Sequence, residues 1–413
     1  MIVVRIVQAV LALVALLWSL YVVVMPLLAG LRRARVGATA HSAALPSIAV
    51  IVPSHNMENE IEACVTALQS SDYPPELLTI HVVADHCTDE TASRGRMAGA
   101  NLLVRHEDPP GKTYAIAWTL RALAQADSDP DLYVITDATA RVDRGFLRSL
   151  ASMWQGGEEV VVGHSLVAMT NTKWFAKCLG LTLVHRNLQN WARERLELSS
   201  LIEGRGMAYS RRYVKRFGWS LALPTKSRAG QHPTEDWRHG VRIVENGLRV
   251  AFQDEARVYT PLRADLATAT RQGIRWERGR QLNAISHGLS LLAKGLKDHD
   301  RLSLFAALDA IQLPVAVLGV LCVAVAILTL ALPDGPVLNF LGIAPVVLMA
   351  CYGFQVTMRG RRDGIPASTL IWAPVYLLWR LSTFVMAWVP LDRARNPQDR
   401  PNAKRRPGPG PWR

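Results

Sequence analysis

Ile48-Ala49-Val50-Ile51-Val52 is an unbroken apolar run, closed by Pro53-Ser54-His55-Asn56. A short apolar run bounded by turn residues reads as a strand buried on both faces. From there the pattern alternates. Glu60–Gln69 reads as a helix, Leu78–Ala84 as a strand, Thr88–Ala98 as a helix and Leu102–Val104 as a short strand. Lys112–Ala126 then reads as a helix and Leu132–Thr136 as a strand. Such alternation predicts an α/β domain, a mostly parallel sheet with helices on both faces. Ligands of such sheets bind beyond the carboxyl ends of the strands. Asn56, Asp85 and Asp137 stand at three of those ends. A single acid there is often only a helix N-cap. Two acids at neighbouring ends, with Lys112 opening a helix between them, point to a nucleotide site.

Upstream and downstream the composition changes. The chain has 413 residues, more than one average domain, and half of them are hydrophobic. The apolar residues crowd at the two ends, which predicts a membrane protein with a soluble middle. The net charge of +13 is carried largely beside the apolar segments, so anionic lipid headgroups are a better partner than nucleic acid. The five cysteines are scattered without a C-x-x-C pair, so neither a zinc site nor a disulfide framework is expected.

Ile6–Gly30 is long enough to cross a bilayer and too long for a signal-peptide core. Arg32, Arg33 and Arg35 follow it, which places that end in the cytoplasm and the N-terminus outside. Ile311–Leu332 and Val337–Val356 read as two further spans, joined by Pro333-Asp334-Gly335-Pro336 and followed by Arg359, Arg361 and Arg362. Ile365–Val389 is ambiguous. If it spans, the arginine-rich tail from Asp392 lies outside, against the positive-inside rule, and Arg380 sits mid-membrane at high cost. An interfacial or re-entrant helical pair is preferred to a fourth span. The tail, rich in Pro, Gly and Arg, reads as disordered.

Two further stretches carry chemistry. Thr234-Glu235-Asp236-Trp237-Arg238 sets an acidic pair beside an indole and a guanidinium. In Gln272-Gly273-Ile274-Arg275-Trp276, a helix would turn Gln272, Arg275 and Trp276 to one side. Either alone is equally a solvated charge cluster or an ordinary amphipathic helix. Residues 170–200 mix Trp174, Phe175 and Trp191 with Lys173, Lys177, Arg186, Arg193 and Arg195, and read as an amphipathic helix at the membrane surface or an ordinary surface helix.

Seven motifs occur in one order: Pro53-Ser54-His55-Asn56, Ala84-Asp85-His86-Cys87-Thr88-Asp89-Glu90-Thr91, Gly111-Lys112, Asp137-Ala138-Thr139, Gly204-Arg205-Gly206, Thr234-Glu235-Asp236 and Gln272-x-x-Arg275-Trp276. In that order they resemble family 2 glycosyltransferases, and in particular the membrane-integrated branch with cellulose, hyaluronan and poly-N-acetylglucosamine synthases. The resemblance implies a GT-A fold, inversion at the anomeric carbon and a nucleotide-diphosphate sugar donor, a UDP-sugar as the first expectation. The acceptor it implies is a polysaccharide or a lipid-linked sugar. By the same resemblance Asn56, Asp85, Lys112, Asp137 and Arg275 bind the donor, with Asp85 on the base and Arg275 on the pyrophosphate. Asp236, with Glu235 beside it, is the catalytic base. Gly204, Gly206, Trp237 and Trp276 form the acceptor side. A divalent cation, Mg²⁺ or Mn²⁺, is implied at Asp137. Two departures stand out: Met57 follows Asn56 where the family has Glu, and Thr139 replaces the second acid of the metal motif. Threonine is a poor ligand for a hard cation, so metal dependence is in doubt. His239 is the one further candidate ligand nearby.

The expected organisation is therefore a membrane helix over 1–31, a GT-A domain over 46–262, interface helices over 263–305, two spans over 306–358, an interfacial, re-entrant or fourth membrane segment over 365–390 and a basic tail over 391–413. The expected place is the cell membrane, multi-pass, with the catalytic domain cytoplasmic. An oligomer or a separate export partner is a further expectation. Opposed to an active transferase stands a catalytically weak partner subunit that binds nucleotide-sugar, for which Thr139 is the argument.

Overall fold

A computed structural model describes residues 2–32, 44–126, 129–168, 174–202, 204–223, 235–261, 265–332 and 335–389. Thr234, Arg33, Arg35, Lys173, Pro333, Asp334 and the basic tail lie outside the described residues. After helix α1 (Ile2–Leu31) the alternating region forms β1 (Ile48–Ser54), α2 (Ile61–Gln69), β2 (Leu78–Asp85), α3 (Thr91–Met97), β3 (Asn101–Arg105), α4 (Lys112–Gln125) and β4 (Leu132–Ile135). Then come β5 (Arg141–Val142), α5 (Phe146–Gln155), β6 (Val160–Ala168), α6 (Trp174–Arg195), β7 (Met207–Ser210), α7 (Arg211–Phe217), α8 (Glu235–Glu245) and β8 (Ala251–Pro261). The remainder is helical: α9 (Leu266–Asn283), α10 (Leu289–Lys297), α11 (Arg301–Ile311), α12 (Val315–Ala331), α13 (Gly335–Arg362) and α14 (Ala373–Trp388).

All seven residues of β1 are buried, as a central strand requires. Its alternate side chains serve two cores. Ile48, Val50 and Val52 meet Ile61, Val65 and Leu150 on one face. Ala49 and Ile51 meet Ile116, Leu120 and Tyr209 on the other. The sheet has eight strands in the order β3-β2-β1-β4-β7-β6-β8-β5. The half around β1 is parallel, as expected. Beyond β4 the sheet is mixed, because β7 runs antiparallel to both β4 and β6, and β5 to β8. The helix expected from Thr88 begins only at Thr91, since the Thr88 N–H is given to Asn56 Oδ1 at 2.9 Å.

α6 overturns the reading of residues 170–200 as a surface helix. It is the joint between the sheet and the apolar helices. The Asn187 amide donates to Ser165 O of β6 at 2.8 Å, and Gln189 donates to Val22 O of α1 at 3.0 Å. Arg193, one of the cations of that stretch, is buried and paired with Asp309 of α11. An ion pair so shielded costs less than a lone charge would. A second joint ties the sheet to α13: Arg359 pairs with Asp254, and the buried His164 lies 2.8 Å from Asp254 and 3.3 Å from Asp363.

Three helices are long and apolar enough to cross a membrane: Val3–Leu31, Gly335–Arg362 and Ala367–Trp388. The stretch from Ile311 is helical from Val315 to Ala331, and with α11 it forms a bent pair that makes a fourth candidate if the pair is one span. The helix breaks at Gln312-Leu313-Pro314, and α11 and α12 meet at a 66° bend, since Pro314 lacks an N–H to continue the ladder. The segment from Ile365 is one helical rod, a 3₁₀ turn running into α14, and not two segments folded back. α14 runs alongside α9: Trp379 Nε1 donates to Thr270 at 2.9 Å, and Arg278 donates to Ala387 O at 3.2 Å and Val389 O at 2.8 Å.

Candidate active site

The donor end is built on the tips of β1, β2 and β4. Asn56 takes a left-handed backbone, φ 53°, and its amide oxygen holds the turn before α3. Asp85 is fully buried. One of its oxygens accepts from Arg105 at 2.5 Å and lies 3.0 Å from His86 Nδ1, and the other accepts the Gly111 N–H at 2.9 Å. Arg105 also donates to Pro109 O at 2.9 Å. Asp85 therefore braces the loop that starts α4, and neither oxygen faces open space as a base-binding group would. Arg105, absent from the sequence reading, is the cation this acid required.

That brace sets Lys112 at the first position of α4. Its ammonium pairs with Asp137 and also donates to Gly204 O at 2.5 Å. Asp137 is 35% exposed at the tip of β4, open to the cleft. A divalent cation fits this set poorly. Among the described residues no three His, Cys, Asp or Glu groups converge. The nearby acid Glu60 is engaged by Arg141 at 3.1 Å. His239 is no ligand: it is buried among Tyr209, Tyr213 and Trp219, 2.8 Å from the Tyr213 hydroxyl. Burial, then the charges of Arg242 and Arg238, pull its pKa down to about 3, so it is a neutral packing group.

Gly204 and Gly206 carry φ of +77° and +62°, a backbone that L side chains avoid. A Cβ on Gly204 would sit 3.0 Å from Asp236 Oδ2, so the missing side chain lets this turn close on the carboxylate. Asp236 lies in the first turn of α8, and its Oδ1 accepts the Trp237 N–H at 2.8 Å. Burial, and then the neighbouring charge of Glu235, raise the Asp236 pKa from 3.8 to about 6. The Trp237 N–H, Lys112 and Arg186 oppose that rise. A carboxyl poised so close to neutrality is matched to taking a proton from a hydroxyl. Trp237 packs against the cluster of Val241, Val244, Leu291 and Ala307 that joins α8 to α10 and α11, so it anchors the helix that carries Asp236 and is no free stacking platform.

Lys112, Asp137, Gly204 and Asp236 thus form one connected group. Gln272, Arg275 and Trp276 lie on α9 and make no hydrogen bond to that group among the described residues. Trp276 is 37% exposed, and the buried Nε of Arg275 has no hydrogen-bond partner among the described residues. The next residue, Glu277, was overlooked. It is buried, takes Arg280 at 3.1 Å on one oxygen and pairs with Arg380 of α14 on the other. Arg380 lies 3.5 Å from where a Gly273 Cβ would be. The arginine in an apolar segment was the signal: it demanded a carboxylate, and α9 offers one. Arg186 of α6, read as a membrane-surface cation, instead sends its charge to Asp236 and Arg280.

This architecture has known counterparts. The family model for glycosyltransferase like family 2 matches residues 46–279, and the chain belongs to that family. It is an enzyme of the glycosyltransferase class with a GT-A fold. Among solved structures it is similar to the mannosyltransferase PcManGT from Pyrobaculum calidifontis, in complex with GDP-Man and Mn²⁺. The identity is 20% over 89% of this chain and 99% of that one, with a TM-score of 0.52. Less similar are TarS 1-349 of S. aureus with UDP-GlcNAc (14%, 83% of this chain, 89% of that one, TM-score 0.42) and the glucosyl-3-phosphoglycerate synthase of Mycobacterium tuberculosis (20%, 60% and 78%, TM-score 0.38). At those scores the last two add nothing to the fold assignment. No curated protein matches the chain.

Proposed function

We propose that this protein is a membrane-bound inverting glycosyltransferase, moving a sugar from a nucleotide-diphosphate donor to a polysaccharide or lipid-linked acceptor at the cytoplasmic leaflet. The observation that carries the reading is the link from Asp236 through Gly204 to Lys112 and Asp137. It puts a carboxyl with a pKa of about 6 beside the turn that Lys112 holds. In this mechanism the Asp236 carboxylate removes the acceptor hydroxyl proton. The oxygen attacks the anomeric carbon from the face opposite the diphosphate, the bond to the diphosphate breaks, and configuration inverts. Lys112 and Arg275 take up the negative charge that develops on the leaving group. Trp276 offers its ring face to the acceptor sugar. Among the described residues the donor set does not suit a divalent cation. The activity is tested by incubating native membranes with a panel of UDP- and GDP-sugars and identifying the product. Transfer from none of them, with nucleotide-sugar still bound, would favour the partner-subunit alternative.

The helices suit a multi-pass anchor. α9, α10 and the helical turn Ala284–Gly288 between them expose Leu266, Trp276, Leu282, Ile285 and Leu289, an apolar edge suited to the interface, and α14 lies along α9. That packing favours α14 at interfacial depth, which keeps the tail cytoplasmic. Polar groups inside the bundle are spent on one another: Gln8 donates to Thr329 at 3.2 Å, Ser19 meets Cys322 at 3.4 Å, and Gln189 donates to Tyr352 at 2.9 Å. A hydrated sugar chain needs a lined path. One chain alone therefore makes no secretion channel, and export falls to an oligomer or a separate partner.

A further inference from the structure

We infer that Lys112 is the resident cation of the diphosphate subsite, so that donor binding by this chain needs no divalent metal. The inference rests on the donor-site reading above and departs from what the fold relatives suggest. Three observations carry it. Lys112 is held on both sides, by Asp137 and by Gly204 O, so its position is prepared before any ligand arrives. An ammonium has three N–H donors, and those two contacts leave one for a phosphate oxygen. Among the described residues, Asp137 is the one carboxylate paired with Lys112, no three acidic or other ligating groups converge where a hard divalent cation requires several oxygen ligands, and the second position of the motif is Thr139.

Charge decides between the two arrangements. Two carboxylates with one lysine would carry a net negative charge and repel a diphosphate, so a divalent ion would be needed to reverse the sign. The Lys112–Asp137 pair, one carboxylate with one lysine, is neutral, with Asp236 set back behind the Gly204 turn on the acceptor side. The positive end of α4, whose first residue is Lys112, then tips the balance toward an anion. Thr139 removes both the second ligand and the charge that a metal would offset. Lys112 also reaches the acceptor side: through Gly204 O it holds the turn that closes on Asp236. A single side chain thus fixes the leaving-group cation relative to the base.

The test uses the full chain in detergent or nanodiscs, with UDP, GDP, ADP and dTDP as probes, and calorimetric binding in excess EDTA and again with saturating Mn²⁺. At least one nucleotide should bind in EDTA with an affinity that Mn²⁺ changes little. Lys112→Met should weaken it about 10- to 100-fold, the worth of one charge-assisted hydrogen bond, beyond any loss of stability from its contacts with Asp137 and Gly204 O, which the melting profile reads separately. Thr139→Asp should weaken binding in EDTA and regain it with Mn²⁺. Wild-type binding lost in EDTA and restored by Mn²⁺ would overturn the inference while leaving the donor site in place. So would undiminished binding by Lys112→Met in EDTA. If no probe binds under either condition, the donor-site reading fails, and this inference with it.

Discussion

Asp236→Asn separates a catalytic carboxylate from a structural one, because activity and stability should move in opposite directions. The folded protein raises this carboxyl from 3.8 to about 6, chiefly through burial. A folded-state pKa above the unfolded one means the folded state prefers the protonated acid. The stability it lends is fully present below 3.8 and is lost as pH rises through about 6. At neutral pH the ionised carboxyl thus costs the fold up to about 3 kcal/mol at 1.36 kcal/mol per unit, and nearer about 1 kcal/mol where solvent reaches it. Asparagine keeps the acceptor for the Trp237 N–H and carries no charge. The variant should melt with the wild type near pH 4 and above it near pH 8, read as thermal midpoints in detergent. Its transfer rate should fall about 10²–10⁴-fold, with nucleotide affinity retained. Wild-type kcat/KM should decline below a pH of about 6 as Asp236 protonates, and the residual rate of the variant should lack that limb. Near-normal transfer, or a variant less stable than wild type at high pH, would refute the assignment.

Gly204→Ala places a Cβ 3.0 Å from Asp236 Oδ2 at a φ of +77°, so kcat should drop while nucleotide binding persists, with a stability cost of about 1–2 kcal/mol. Glu277→Gln leaves Arg280 and Arg380 without their carboxylate and should destabilise by about 3–5 kcal/mol in thermal melts. Adding Arg380→Met to that variant should recover much of the loss. A reporter after Arg413 should read cytoplasmic and one at Asp334 outside, and an extracytoplasmic C-terminus would make Ala367–Trp388 a span. Purified monomer in sealed vesicles should place no glycosidase-protected polymer inside, and protected product with no other protein would show that the chain forms its own channel.

The apolar run at Ile48, the alternation to Leu132 and the acids at the strand tips were legible because they are local. A strand buried on both faces must be apolar throughout, and strand ends must carry what the ligand meets. The proposed base was legible for the same reason, as an acidic pair opening a helix. Partnership was not. Asp85 looked like a ligand-binding acid and is instead consumed by Arg105, twenty residues on in the chain but adjacent across the β2–β3 pair. Trp237 and His239 carry site-like chemistry, yet helical periodicity turns them into packing. Arg380 looked too costly for an apolar segment until α14 was laid against α9 and Glu277 met it. Charge in a sequence states only what must be neutralised. Which group neutralises it depends on elements distant in the chain packing side by side, and that the tertiary structure alone decides.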